Sequence, residues 1–212
     1  MFKANFLEKV YPDPYPRGSL SVELLTQNDI PDILILQQHV WNELPLRKKD
    51  HLKIFSVQDF LTHIGAGMPI MGIRNDQGQL IAKAVFSLPY DKRGMKYLET
   101  HPMLEGYDDN ISVLESVCVR PDVLRRLYAD KLLTHAQNVA MQHNSPSILA
   151  KVSDELMLGA ESFERVGFVQ TLTEPDTDID IPVKYYQWLK FREGDEKYMD
   201  PNKYPQYLYD IG

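Results

Sequence analysis

The stretch "LESVCVRPDVLRRLYADKLL", Leu114–Leu133, decides how the chain is read. Its first residues, Leu114 to Val119, are mostly apolar or small and suit a buried strand, and Pro121 lacks the N–H a ladder needs, so the strand must end before it. After the proline, Leu132, Ala136, Val139 and Ala140 fall on one face at helical spacing, which predicts a helix from Asp122 to His143. Arg125 and Arg126 stand in the opening turn of that helix. A strand, a proline turn and a helix that opens on two arginines form an arrangement suited to an anion, because a helix N-terminus presents free N–H groups.

Upstream, "SLSVELL" alternates as a strand, and "TQNDIPDILILQQHVWNEL" follows with apolar residues at helical spacing, Thr26 with Asp29 three residues later forming a capping-box pattern that starts the helix there. "MPIMGIR" and "QLIAKAVFSL" read as strands joined by "NDQG", a tight-turn composition that predicts an antiparallel hairpin. The "GAGMP" run at Gly65 follows a helix-like segment and reads as a turn. A long connection, Pro89 to Asn110, precedes "ISVLESVCV", and a connection of that length in a compact domain is often functional. Downstream, "SPSILAKVS" is a strand, "LMLGAESFERV" a short helix, and "GFVQTL" and "VKYYQWLKF" two strands separated by the acidic loop "TEPDTDIDIP". These boundaries predict an arm over residues 1–19, one domain over 20–191 and a tail over 192–212 that packs on it.

Composition narrows the function classes. With 212 residues, 43% of them hydrophobic, the chain can bury one substantial core. A net charge of -7 argues against duplex nucleic acid as a partner, since phosphate binding runs on clustered Lys and Arg. The single cysteine, Cys118, cannot form an internal disulfide, and "MFKANFLEKVYPDP" lacks the apolar run of a secretory signal, so the expected compartment is the cytoplasm. The most apolar helical segment, "IPDILILQQHVW", is interrupted by Pro31, Asp32, Gln37 and Gln38 short of a bilayer-spanning length. No membrane partner is expected.

The order strand, helix, hairpin, strand, long helix, strand, short helix, hairpin resembles the GNAT superfamily of acyl-CoA-dependent N-acetyltransferases. "VCVRP" with Leu132 and Leu133 in the following helix is similar to that family's central strand and cofactor helix, and "ESFERVGF", Glu161 to Phe168, is similar to its "YEKLGF"-type motif. The resemblance implies an α/β (α+β) fold with a mixed, mostly antiparallel, twisted sheet flanked by helices. It also implies acetyl-CoA as co-substrate without a metal, an amine acceptor on a small molecule or peptide, and a homodimer as one assembly open to the chain. The family's phosphate loop, Gln/Arg-x-x-Gly-x-Gly/Ala, aligns with Leu124, Leu127 and Ala129, of which Ala129 alone fits. The cofactor-binding residues carried over are therefore Val117, Cys118 and Val119 on the strand, with Arg125, Arg126, Leu127 and Ala129 in the loop, the two arginines supplying charge-assisted bonds in place of the glycines.

Glu115 lies where many members of that family place an acidic residue and is the candidate general base. The family's proton-donating tyrosine position is held by Phe163, which carries no proton, and Leu156 replaces an asparagine common at the start of the same helix. Tyr128 and the Tyr185–Tyr186 pair are the nearest substitutes, each more economically read as packing residues. These departures keep two other readings open: a fold retained as a binding or assembly module, and an enzyme that takes its acyl group from an acyl-carrier protein. Cys118 has no activating base beside it in sequence and reads as a core residue. The six histidines, His39, His51, His63, His101, His135 and His143, form no HxxxH pair, so no metal site is expected. Glu174, Asp176, Asp178 and Asp180 read as solvated loop charges and lack the glycine and terminal glutamate of a calcium loop.

Overall fold

Alternation of side chains across seven short strands builds one sheet with apolar residues on both faces, so each face must be covered by helices. The computed structural model describes residues 21–49, 52–89, 111–123, 125–153, 159–176 and 181–189. The expected N-terminal arm, most of the long connection after Pro89, Leu124, Leu156 and the tail lie outside the described residues.

The strands are β1 (Val22–Leu24), β2 (Ile70–Arg74), β3 (Leu80–Ser87), β4 (Ile111–Val119), β5 (Ser147–Ser153), β6 (Val169–Asp176) and β7 (Ile181–Leu189). The helices are α1 (Ile30–Glu43), α2 (Leu46–Lys49), α3 (Val57–Gly65), α4 (Arg125–Gln142) and α5 (Gly159–Arg165). The sheet order is β1-β2-β3-β4-β5-β7-β6, and every neighbouring pair is antiparallel except β4–β5. The mixed, mostly antiparallel sheet expected from the sequence is thus the one observed.

On one face α4 packs with Tyr128, Leu132, Leu133, Ala136 and Ala140 buried against Met71, Ala84, Phe86 and Ile148. On the other, Ile33 and Leu36 of α1 and Phe60 of α3 meet Ile70, Leu80 and Val85. Alternate residues of β2 and β3 divide between the two faces, which is why all eight residues of β3 are buried. At Gly72 a Cβ would lie 2.7 to 2.8 Å from the δ-carbons of Leu25 and Leu80, so a larger residue there makes those side chains shift. Gly78, with φ of 75°, takes the left-handed position of the predicted "NDQG" hairpin.

The capping box at Thr26 and Asp29 forms as read, opening a 3-10 turn that leads into α1. Arg74 then clamps that corner, bonding Glu23 at 2.8 Å and Asp29 and Asp32 at 2.6 Å each. Three boundaries differ from the sequence reading. The long helix begins at Arg125 among the described residues, not at Asp122, whose carboxylate is held by Arg120 at 2.6 and 2.9 Å. The acidic stretch is not one loop: Glu174, Pro175 and Asp176 continue β6 and pair with Val183, Pro182 and Ile181. Finally, the helix-like segment before "GAGMP" is a full helix, α3, started by a second capping box between Ser56 and Asp59. The turn at Gly65–Gly67 forms as expected, with Gly67 at φ of 72°.

Candidate functional site

The parallel pair β4–β5 is short. Ile111 to Leu114 pair with Ser147 to Ala150, and beyond that point β4 stays with β3 while β5 stays with β7. The two central strands therefore part, and the wedge between them opens at Glu115. Where β4 leaves β5 it also bulges: Phe86 faces Leu114 and Val85 faces Ser116, so Glu115 is the extra residue. A bulge leaves one residue outside the ladder and re-aims its side chain.

Along the widening wedge, backbone groups alternate in direction. The Arg120 amide donates to Ile81 O at 2.9 Å, so in the antiparallel ladder Cys118, opposite Lys83, likewise bonds toward β3. Val117 and Val119 then direct their N–H and C=O toward the departed β5. Of the three strand residues predicted to bind cofactor, Val117 and Val119 offer backbone groups to the wedge, whereas Cys118 turns its side chain into a small cluster with Leu44 and Leu52.

The Glu115 carboxylate is held by residues from three other segments. Ser87 Oγ donates to Oε1, Lys53 Nζ lies 2.6 Å from Oε2, and His63 Nδ1 lies 3.9 Å from Oε1. His63 is fully buried, and its Nε2 sits 3.1 Å from Phe86 O; a carbonyl can only accept, so Nε2 carries a proton. Burial raises the affinity of Glu115 for a proton, but the hydrogen bonds from Lys53 and Ser87, with the charges of Lys53 and His63, outweigh it. The carboxyl is held below the ordinary glutamate value and is ionised at neutral pH.

Lys53 is placed by a buried clamp. Gln37 of α1 donates to Phe55 O at 2.9 Å and accepts from Phe55 N at 3.2 Å, pinning the backbone two residues from Lys53. The Lys53 ammonium also lies 4.5 Å from the centre of the Phe55 ring, a cation–π distance. One strand along, Lys83 is wholly buried beside Ser116, its Nζ 3.3 Å from Ser116 Oγ and 5.5 Å from the ring centres of Phe55 and Phe60. Burial holds the Lys83 amine well below the ordinary lysine value; Cys118 opposes that shift and the Lys53 charge adds to it.

The opening of α4 leaves the amides of Arg125, Arg126 and Leu127 outside the helical ladder, while the amide of Ala129 lies inside it. Ala129 is buried in the core, so its small side chain serves packing. The Arg126 guanidinium reaches Glu161 on α5 at 2.9 Å, both groups being exposed. Phe163 stacks on Tyr186 and meets Phe168 edge-on, each at 5.3 Å between ring centres, and Tyr128 is buried against the sheet. Among the described residues no group of three His, Cys, Asp or Glu side chains could hold a metal ion. No helix among them is long and apolar enough to cross a membrane.

Solved structures share this overall fold. An acetyltransferase of the GNAT family from Streptococcus agalactiae 2603 matches with a TM-score of 0.61 at 15% identity, covering 85% of this chain and 100% of that one. The chain has the GNAT fold. The yncA protein of Salmonella typhimurium, solved with its cofactor acetyl-CoA, matches with a TM-score of 0.60 at 14% identity over 84% of this chain and 97% of that one. A ribosomal-protein-alanine N-acetyltransferase from Brucella melitensis matches at 0.57 and 15% identity, over 80% and 99%. No family model matches the sequence, and no curated protein matches it. Within the GNAT fold, the wedge, Glu115 and the start of α4 are neighbours along one path from strand to helix. The sequence singles out Glu115 as a candidate, whereas Lys53, Ser87 and His63, which the fold brings around it, carry no local signal beyond the Ser56/Asp59 capping box that starts α3.

Proposed function

We propose that the protein is an N-acyltransferase that moves an acyl group, most simply acetyl, from acetyl-CoA to a primary amine of a small molecule or peptide, by direct attack in a ternary complex. The observation that carries this reading is the placement of an ionised, largely buried carboxylate, Glu115, on the bulge where β4 and β5 part. Acetyl-CoA fits the residues present: its pantetheine amides match the backbone groups that Val117 and Val119 turn toward the wedge, which β5 does not pair. Its pyrophosphate suits the three amides at the start of α4, with Arg125 and Arg126 adding charge there. Acetyl-CoA supplies an activated thioester. Glu115 accepts the proton of the attacking amine, and Ser87 and His63 keep its carboxylate aimed and ionised. Leucine at position 127 is compatible with this role because an amide, not a side chain, is used.

Two comparisons support the reading: the fold is shared with N-acetyltransferases, and one neighbour was solved with acetyl-CoA. Phe163, locked between Phe168 and Tyr186, offers no proton, so water protonates the departing thiolate in this scheme. The test is a calorimetric titration with acetyl-CoA together with turnover on a panel of primary amines, for the wild type and Glu115→Gln. Binding with turnover that falls about 100-fold or more in the variant is expected for a general base. Absence of acetyl-CoA binding would contradict the proposal and leave a binding module or an acyl-carrier-dependent enzyme.

A further inference from the structure

The half-exposed Lys53 ammonium already occupies the position that an acceptor amine must take. Its Nζ is 2.6 Å from the Glu115 carboxylate, with side-chain exposures of 49% and 9%. A primary amine on a flexible tether, against the candidate base and beside the parting point of β4 and β5, has the geometry of a substrate. The Gln37–Phe55 hydrogen bonds and the Phe55 ring hold that tether in place, so the encounter of amine and base carries little further entropic cost. Other lysines whose contacts are described sit differently: Lys83 is wholly buried, and Lys49 lies 3.7 Å over the Trp41 ring.

We infer that Lys53 is a self-acylation site, modified by the acyl thioester that the protein binds. This inference rests on the acyltransferase reading above and names an acceptor within the chain. Glu115 takes one proton from the Lys53 ammonium and passes it to solvent, which frees the Nζ lone pair. Nζ attacks the thioester carbonyl carbon, a C–N bond forms, and the C–S bond breaks with its electron pair going to sulfur. The second Nζ proton goes to the thiolate by way of Glu115 or water. The products are Nε-acyl-Lys53, CoA thiol and one released proton, with no change of oxidation state. Acylation removes the positive charge from Lys53 and leaves the Glu115 carboxylate without its ammonium partner, open to an external amine. Lys53 then behaves as a stand-in that the first turnover removes.

The experiment incubates the full chain with acetyl-CoA, follows acetyl occupancy at each lysine by peptide mass spectrometry over time, and measures acetyl-CoA binding by calorimetry on the same preparation. Lys53 is expected to acetylate at least about tenfold faster than the median exposed lysine, given the usual worth of a positioned base. The rate should not depend on protein concentration, because amine and base share one chain, and the excess should vanish in Glu115→Gln. Acetyl-CoA binding with Lys53 modified no faster than other exposed lysines would overturn this inference while leaving the acyltransferase reading intact. No binding would overturn both. The comparison among lysines is made within the wild type, so the result does not depend on how the variant folds.

Discussion

Replacing Lys53 with methionine keeps most of the side-chain volume and removes the charge from Glu115. In the wild type the folded-state pKa of Glu115 lies below its unfolded value of about 4.3, so the carboxylate contributes stability that is present above that value and is lost as pH falls through the folded pKa. Without Lys53, burial is opposed by Ser87 and His63 alone, and the folded pKa rises. Two unit charges 2.6 Å apart interact by about 1.6 kcal/mol at the dielectric constant of water and by several kcal/mol at an effective value of ~20. Because half of Lys53 faces solvent, screening keeps the result near the lower figure, roughly 1–2 kcal/mol. The variant should therefore melt about 3–6 °C lower than the wild type at pH 7, and the gap should narrow as pH falls through the lowered Glu115 pKa and the carboxylate is protonated in both proteins. Thermal unfolding of both proteins across pH 3 to 7 is the assay. A gap that is the same at every pH would refute the argument, since it would show that Lys53 acts through packing and not through charge on Glu115.

Gln37→Leu should cost about 2–4 kcal/mol in denaturant unfolding, because the buried N–H and C=O of Phe55 lose their partners, and the Phe55 amide should exchange faster with solvent. Lys83→Met should stabilise the protein at neutral pH by removing a buried amine of depressed pKa. The sign follows from linkage: between its lowered folded pKa and its unfolded value of about 10.4, Lys83 binds more protons when unfolded, so wild-type stability should climb with pH over that window. The methionine variant should lack that climb, as seen in unfolding midpoints measured from pH 6 to 10.

Most of the architecture was legible because local chemistry and tertiary packing agree. The Thr26/Asp29 capping box, the "NDQG" hairpin and the apolar run Ile111–Val119 each announce an element that the fold uses unchanged. The misread acidic stretch is a place where a paired strand intervenes: pairing with β7 extends β6 through Pro175. Helix α3 had a readable start at Ser56, yet its importance lies in His63, whose role appears only when Phe86 and Glu115 are brought beside it. The site divides in the same way. Glu115 could be picked out from its position before Pro121, but Lys53 stands 62 residues away and Ser87 28 residues away, separations that no local pattern encodes. The bulge that carries Glu115 is a property of two strands together. Likewise, the division of labour between Val117, Cys118 and Val119 follows from ladder direction, which a single strand does not carry.

Acetyl-CoA seated in the wedge between β4 and β5 should leave its mark on residue-resolved amide hydrogen exchange, measured with and without acetyl-CoA. Protection should appear at the Val117 and Val119 amides and at Arg126 and Leu127 in the first turn of α4, with Cys118 unchanged because its amide already bonds β3. Exchange at Val117 and Val119 that is unaltered by saturating acetyl-CoA would contradict that placement.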